Sequence, residues 1–244
     1  MSIDLPSRTK LRAAPTPYWR MAAKGKLGEI WLYDYIGDPW AGTMSNDFRK
    51  ELKALGEIDR LNLYVNSPGG SVFEGIAIHN ILKRHPAEVV ASIDGMAASI
   101  ASVVVMAADT IIIASNAMMM IHDPMGCACG SAADMRKMGE ALDKVREQIL
   151  VSYVERTSGD EQALSDMLTA ETWFTAEEAV AAGLADEIAQ PVAMAAVARH
   201  DLSEFKHPPV LALARPKASA PNRAALTRIQ VVQSRLAQRG INRR

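Results

Sequence analysis

The sequence has few aromatic residues and only two cysteines. Aromatic side chains make up 5% of its 244 residues, so the core has to be built from Ala, Val, Ile, Leu and Met. Cys127 and Cys129 are separated by a single residue, which disfavours a stabilising disulfide, and no nearby Cys or His completes a zinc-binding set. We therefore expect neither a structural disulfide nor a metal site.

Long hydrophobic runs are also absent. The most apolar stretch, residues 96–108, lies between Asp94 and Asp109 and is too short to cross a bilayer, so it predicts a buried helix. The N-terminus is polar and basic and lacks the apolar region of a secretory signal. These features predict a cytoplasmic protein, in a reducing compartment and without membrane contact.

Charge is divided unevenly along the chain. Residues 1–190 hold 17 Lys and Arg against 26 Asp and Glu, a net of −9, whereas residues 191–244 hold 10 against 2, a net of +8. We interpret residues 1–26 as a flexible basic arm, 27–190 as an α/β domain and 191–244 as a basic, proline-containing tail. An apolar stripe within residues 223–238 indicates either a partner-binding helix or a weakly ordered terminus. We expect no nucleic-acid partner.

Apolar periodicity separates strands from helices. It predicts strands over residues 29–36, 61–66, 88–93, 110–114, 118–121 and 184–188. It predicts helices over residues 46–55, 71–85, 98–107, 131–156 and 175–183. Sequences typical of capping boxes begin three of these helices, at Ser71, Ser131 and Thr175. Strands that alternate with helices at this spacing predict an α/β domain with largely parallel pairing.

Gly69 and Gly70 lie where a predicted strand meets a predicted helix. Paired glycines let the backbone turn its N–H groups outward, and the start of the following helix adds partial positive charge. Together these groups can hold the oxyanion that acyl transfer requires. The alternative is that the Pro-Gly-Gly sequence is only a turn.

Ser99 and His122 are candidates for a nucleophile and its base. Ser99 follows Gly95, which we read as a break before a buried helix, and the small residues around it leave room for a substrate backbone. The amide of Ile100 can point at the same oxyanion as Gly70. His122 directly follows a predicted strand, and a serine needs such a base to be nucleophilic at neutral pH. The alternatives are an ordinary helix N-cap for the serine and a surface position for the histidine.

Three segments, residues 66–70, 95–99 and 120–124, resemble the ClpP peptidase family in order and spacing. The resemblance spans about residues 28–190. It implies that Ser99 is the nucleophile, that His122 is the base, and that the amides of Gly70 and Ile100 stabilise the oxyanion. It also implies an α/β fold, a ClpP/crotonase-like spiral of β-β-α units, assembled into stacked heptameric rings. The long helix that begins near Ser131 resembles the handle that joins two such rings.

The third member of the triad departs from the family pattern. The family carries an aspartate shortly before an Ala-Val-x-x-Gly-Leu segment, and counting back from residues 179–184 puts Glu171 at that position. Glutamate can also orient an imidazole, but its extra methylene requires a different local backbone. The alternative is a surface glutamate without a catalytic role. Asp123 is disfavoured because neighbouring residues on a strand point to opposite faces.

The two termini also differ from housekeeping ClpP subunits. Residues 1–30 lack the apolar loop and arginine-containing helix that serve docking to an unfoldase ATPase, and the basic tail is an addition. Both features are similar to proteases of phage and prophage head-assembly regions. The resemblance thus implies a cofactor-free serine endopeptidase that forms homo-oligomeric rings and processes capsid or scaffold proteins in the host cytoplasm or procapsid. Alternatives are the proteolytic subunit of an ATP-dependent Clp protease with a Clp ATPase partner, an inactive ring scaffold, and a crotonase-like acyl-CoA enzyme.

Overall fold

A computed structural model describes residues 19–37, 43–157, 159–189, 202 and 205–208. The chain divides into two units, Met1–Pro208 and Pro209–Arg244, and the second lies outside the described residues. The first 18 residues of the predicted arm and the apolar stripe of the predicted tail lie outside them as well. The domain boundaries at residues 26 and 190 stay predictions.

The described chain combines strands and helices, which alternate from β2 to β5. The strands are β1 Trp19–Lys24, β2 Leu27–Leu32, β3 Arg60–Ser67, β4 Glu88–Ala98, β5 Thr110–Ala114, β6 Met118–Ile121, β7 Thr172–Phe174 and β8 Glu187–Ala189. The helices are α1 Ser45–Ala54, α2 Val72–Lys83, α3 Ile100–Val105, α4 Ala132–Thr157, α5 Glu161–Thr169 and α6 Ala176–Ala181. The predicted α/β fold class is confirmed.

The strands form one sheet in the order β1-β2-β3-β4-β5-β8, and β6 pairs with the far end of β4 and carries β7 on its other side. Pairing is parallel from β2 to β8 and between β4 and β6. Antiparallel pairing is confined to β1 with β2 and to β6 with β7. The predicted predominance of parallel pairing is therefore confirmed. The short strand β6 extends the sheet beside the end of β4 that precedes Ser99.

The core lies between the sheet and its covering helices, and α3 is buried on all sides. All six residues of Ile100–Val105 are buried, as expected for the most apolar stretch of the sequence. Helix α2 passes close to α3 at Gly75, where an added Cβ would lie 2.2 Å from Cγ1 of Ile100. None of the helices in the described ranges combines the length and apolarity needed to cross a bilayer.

Two local predictions are wrong. Gly95 does not end its strand, because β4 continues to Ala98. A Cβ at Gly95 would lie 2.7 Å from Oδ1 of Asn66, so the glycine allows the adjacent strands to pack closely. The side chain of Ser71 forms no capping bond with α2. The carboxylate of Glu74 instead accepts the N–H of Ser45 at 2.6 Å, which binds α1 to α2.

Other caps agree with the sequence, and some elements were not predicted. The capping box at Thr175 is present, and Ser131 exchanges reciprocal bonds with Asp134. Strand β1 lies within the predicted flexible arm, where it forms a hairpin with β2. Helix α5 and strand β7 occupy a stretch for which the sequence predicted no element, and the last strand is residues 187–189 rather than 184–188. The other predicted strands and helices have counterparts in the structure.

We predict that Gly75→Ala destabilises the protein. The added methyl group would collide with the fully packed side chain of Ile100, and such overpacking costs about 1–3 kcal/mol. Urea denaturation should show a lower midpoint with an unchanged slope.

Gly139→Ala is the matched control, because Gly139 is also helical but nothing lies within 4 Å of its added Cβ. Replacing an exposed helical glycine should raise the free energy of unfolding by up to about 1 kcal/mol. Equal effects of the two substitutions would contradict the close packing of α2 on α3.

Candidate active site

Ser99 lies on a sharp turn between β4 and α3. Its φ is +54° and its ψ −132°, a backbone conformation that costs an L-residue about 1–3 kcal/mol. The turn is held by the N–H of Ser99, which donates to the carbonyl of Met120 at 3.0 Å, and by Ser102, whose N–H donates to the carbonyl of Ser99 at 2.9 Å. The Ser99 side chain makes no N-cap bond, so its hydroxyl is available to another partner.

That partner is His122. The Nε2 atom of His122 lies 2.8 Å from Oγ of Ser99. Parallel pairing of β4 with β6 sets Ala98 opposite Met120, so the residues that follow each strand emerge side by side. The pKa of His122 is lowered, mainly because the ring is buried. The charges of Glu171 and Asp123 raise this pKa, and the charge of Lys206 lowers it, but burial has the largest effect. The imidazole is therefore predominantly neutral at neutral pH, the form that accepts a proton.

Glu171 is placed beside His122 by the antiparallel pairing of β6 with β7. Ile121 pairs with Thr172, and one step further along the same register brings His122 opposite Glu171. Glu171 lies two residues beyond the end of α5 in a left-handed conformation, φ +51°, and its N–H donates to the carbonyl of Leu168 at 3.1 Å. It is only 5% exposed, so the alternative of a surface glutamate is wrong.

The carboxylate of Glu171 is bound by backbone amides. Oε2 accepts the N–H of Lys206 at 2.8 Å, and Oε1 accepts the N–H of His207 at 2.6 Å. Within the described part of the chain, nothing forms a hydrogen bond with Nδ1 of His122. Glu171 is thus adjacent to His122 and acts on it electrostatically, while its direct hydrogen bonds go to residues 206 and 207.

Asp123 does not join the site. Its carboxylate accepts from Nε of Arg146 at 2.6 Å, and Arg146 also donates to Oγ of Ser165 at 2.7 Å. This ion pair connects the segment after β6 to α4 and α5. The expectation that Asp123 points away from the base agrees with this arrangement.

The glycine pair lies against the serine turn. Gly69 and Gly70 have φ values of +100° and +139°, which favour glycine. A Cβ at Gly69 would lie 2.7 Å from Cβ of Ser99 and 3.1 Å from N of Ile100, whereas a Cβ at Gly70 would lie 2.2 Å from the carbonyl oxygen of Ile36. Among the described residues, no backbone carbonyl accepts the N–H of Gly70 or Ile100. Both amides therefore remain available beside Ser99.

Ser99, His122 and the two free amides line one cavity of about 520 Å³. Its lining residues include Gly70, Ser99, Ile100, His122, Met125 and Phe205. Across the described ranges, no group of three or more His, Cys, Asp and Glu side chains is arranged to hold a metal ion.

Neither Phe205 nor the amides of residues 206 and 207 were predicted as part of the site. The charge of the tail led us to treat it as a separate segment. One signal was available, because Phe205 is the single Phe, Tyr or Trp after residue 190.

A strained serine on a strand-turn-helix junction, hydrogen-bonded to a histidine and flanked by unpaired amides, is the arrangement of a serine hydrolase. The sequence model of the family described as Clp protease matches residues 30–192. The chain belongs to the Clp protease family, and it is a ClpP-like serine endopeptidase.

Relatives with assigned names agree with this. The chain is 29% identical over 159 residues to an ATP-dependent Clp protease proteolytic subunit of Bacteroides thetaiotaomicron, which covers 63% of this chain and 72% of that protein. It is 32% identical over 128 residues to proteolytic subunit 3 of Rhodococcus jostii, covering 52% and 63%. It is 34% identical over 135 residues to proteolytic subunit 3 of Streptomyces coelicolor, covering 54% and 62%.

We predict that His122 titrates below its ordinary pKa of 6.5, because burial disfavours its charged form. An NMR titration of the histidine rings, with the His122 resonance assigned by its loss in His122→Gln, should show this. A midpoint above 6.5 would mean that the nearby carboxylates, rather than burial, dominate the environment of the ring.

Proposed function

We propose that Ser99, His122 and Glu171 hydrolyse peptide bonds as a catalytic triad. Oγ of Ser99 attacks the scissile carbonyl while Nε2 of His122 takes its proton and then passes it to the leaving amine. A water molecule, deprotonated by His122, releases the acyl group and regenerates the serine. The 2.8 Å contact between Oγ and Nε2 carries this proposal.

Three groups stabilise the charges that develop during the reaction. The amides of Gly70 and Ile100 donate to the oxyanion, a role that contributes about 100- to 1,000-fold per donor in serine peptidases. The buried carboxylate of Glu171 stabilises the imidazolium that forms when His122 takes the proton. No cofactor enters any of these steps.

We further propose that the protein is a phage or prophage head-maturation protease that cuts capsid or scaffold proteins. The support is the charge division along the chain, −9 over residues 1–190 and +8 over residues 191–244, which suits a tail that tethers the protease to an acidic partner. Its assembly would be a homo-oligomeric ring, a heptamer or double heptamer. Its place would be the host cytoplasm or the procapsid.

A second candidate is the proteolytic subunit of an ATP-dependent Clp protease. The names of the relatives in Bacteroides, Rhodococcus and Streptomyces favour it. Under this alternative the ring would receive unfolded polypeptides from a Clp ATPase. The contact between Ser99 and His122 argues against a crotonase-like acyl-CoA enzyme, because such an enzyme does not need a serine paired with a histidine.

Mass spectrometry of cleavage products tests these proposals. Wild-type protein should fragment candidate capsid and scaffold proteins without ATP, and Ser99→Ala should lower the rate by at least about 1,000-fold. Ser71→Ala is the matched control, because Ser71 lies nearby and its side chain forms no capping bond.

Identical fragments from wild type and Ser99→Ala would rule out Ser99 as the nucleophile. Degradation of casein only with a Clp ATPase and ATP would favour the second candidate over head maturation. A wild-type protein that assembles but cleaves nothing would point to the inactive scaffold.

A further inference from the structure

Residues 205–207 lie beside Ser99, His122 and Glu171. Leu202 and Phe205 are only 4% and 6% exposed, and Phe205 lines the same cavity as Ser99. The rings of Phe205 and His122 meet edge to face, with centroids 5.5 Å apart and an interplanar angle of 87°. Phe205 also packs edge to face on Trp173 of β7, at 5.9 Å. Aromatic rings prefer such contacts, so Phe205 forms an apolar wall beside the imidazole.

The two residues after Phe205 hold the carboxylate of Glu171. Each oxygen accepts one amide, from Lys206 at 2.8 Å and from His207 at 2.6 Å. An ionised carboxylate has about four lone-pair positions, so positions remain for the N–H at Nδ1 of His122. The two amides therefore fix the direction of the carboxylate without saturating it.

The identity of residue 171 fits this contact. The side chain of Glu171 is one methylene longer than that of an aspartate. On the same backbone, an aspartate carboxylate would end one carbon–carbon bond earlier, about 1.5 Å short. The extra methylene is what lets the carboxylate reach the amides of Lys206 and His207.

We propose that residues 205–207 are a positioning element of the active site, in which two backbone amides orient the Glu171 carboxylate and Phe205 shields His122 from water. This inference rests on the proposed function, because the segment acts by setting how well His122 activates Ser99. The segment acts through the orientation of Glu171 and the surroundings of His122, and it supplies no reacting group itself.

The charged groups that face His122 set the sign of the expected pH effect. Glu171 and Asp123 favour the imidazolium, whereas burial and the Lys206 side chain favour the neutral ring. Removing the ring of Phe205 lets water reach the imidazole while leaving all three charges in place. The protonated form of His122 then becomes easier to form, so activation of Ser99 requires a higher pH.

The test is the rate at which a fluorophosphonate labels Ser99 in the full-length protein, measured against pH, with the labelled residue identified by mass spectrometry. His207→Pro removes one amide donor and should slow labelling at the plateau about tenfold. Phe205→Ala should raise the pH of half-maximal labelling by roughly 0.5 unit or more. A segment that only adds stability would change neither value in protein that remains folded.

Glu161→Pro is the control for introducing a proline, because Glu161 is the first residue of α5, where proline is tolerated. It should label at the wild-type rate. Thermal melting monitored by circular dichroism establishes which variants are folded. If His207→Pro does not fold, the pH shift of Phe205→Ala decides alone.

Slower labelling of His207→Pro together with the shifted midpoint of Phe205→Ala supports the inference. An unchanged rate in folded His207→Pro, or an unchanged midpoint in Phe205→Ala, overturns it. Faster labelling also overturns it, because the segment would then obstruct the site. Absence of label on Ser99 in the wild type overturns the proposed function itself and the inference with it.

Discussion

The active site depends on the pairing of one short strand, β6, with a different partner on each side. Parallel pairing with β4 brings the turn at Ser99 next to His122, and antiparallel pairing with β7 brings Glu171 opposite His122. Each of the three residues is the immediate neighbour of a paired strand, because Ser99 follows β4, His122 follows β6 and Glu171 precedes β7. A shift of this register by one residue would turn every side chain to the other face of the sheet and separate the three groups.

A second constraint is close approach of backbones around the serine. Gly69 leaves no room for a side chain between itself and Ser99, and the strained turn is held through the carbonyl of Ser99. That carbonyl also accepts the hydroxyl of Ser102 at 2.5 Å, and the hydroxyls of Ser102 and Tyr153 lie 2.7 Å apart. Because Tyr153 is a buried residue near the C-terminal end of α4, these hydrogen bonds connect this long helix to the turn at Ser99.

Much of this could be predicted from the sequence, and the exceptions have physical reasons. Ser99 and His122 stand in motifs whose order and spacing are informative, and the uninterrupted apolar stretch around α3 indicates its burial. Strand β7 is only three residues long, which is too short to show an alternating pattern in the sequence. The register that places Glu171 opposite His122 could therefore not be predicted. The groups that donate to Glu171 are backbone N–H groups, which every residue except proline has, so the residue types could not identify them. The aromatic residue Phe205 was the one sign in the sequence of a buried position next to these donors.

The most direct test of the account is a crystal structure of the protein after reaction with a fluorophosphonate. The account predicts phosphorus bonded to Oγ of Ser99 and one phosphonyl oxygen about 2.7–3.2 Å from the amide nitrogens of both Gly70 and Ile100. His122 should remain beside the adduct, with Glu171 behind its ring. An adduct on another residue, or a phosphonyl oxygen that faces neither amide, would contradict the central claim.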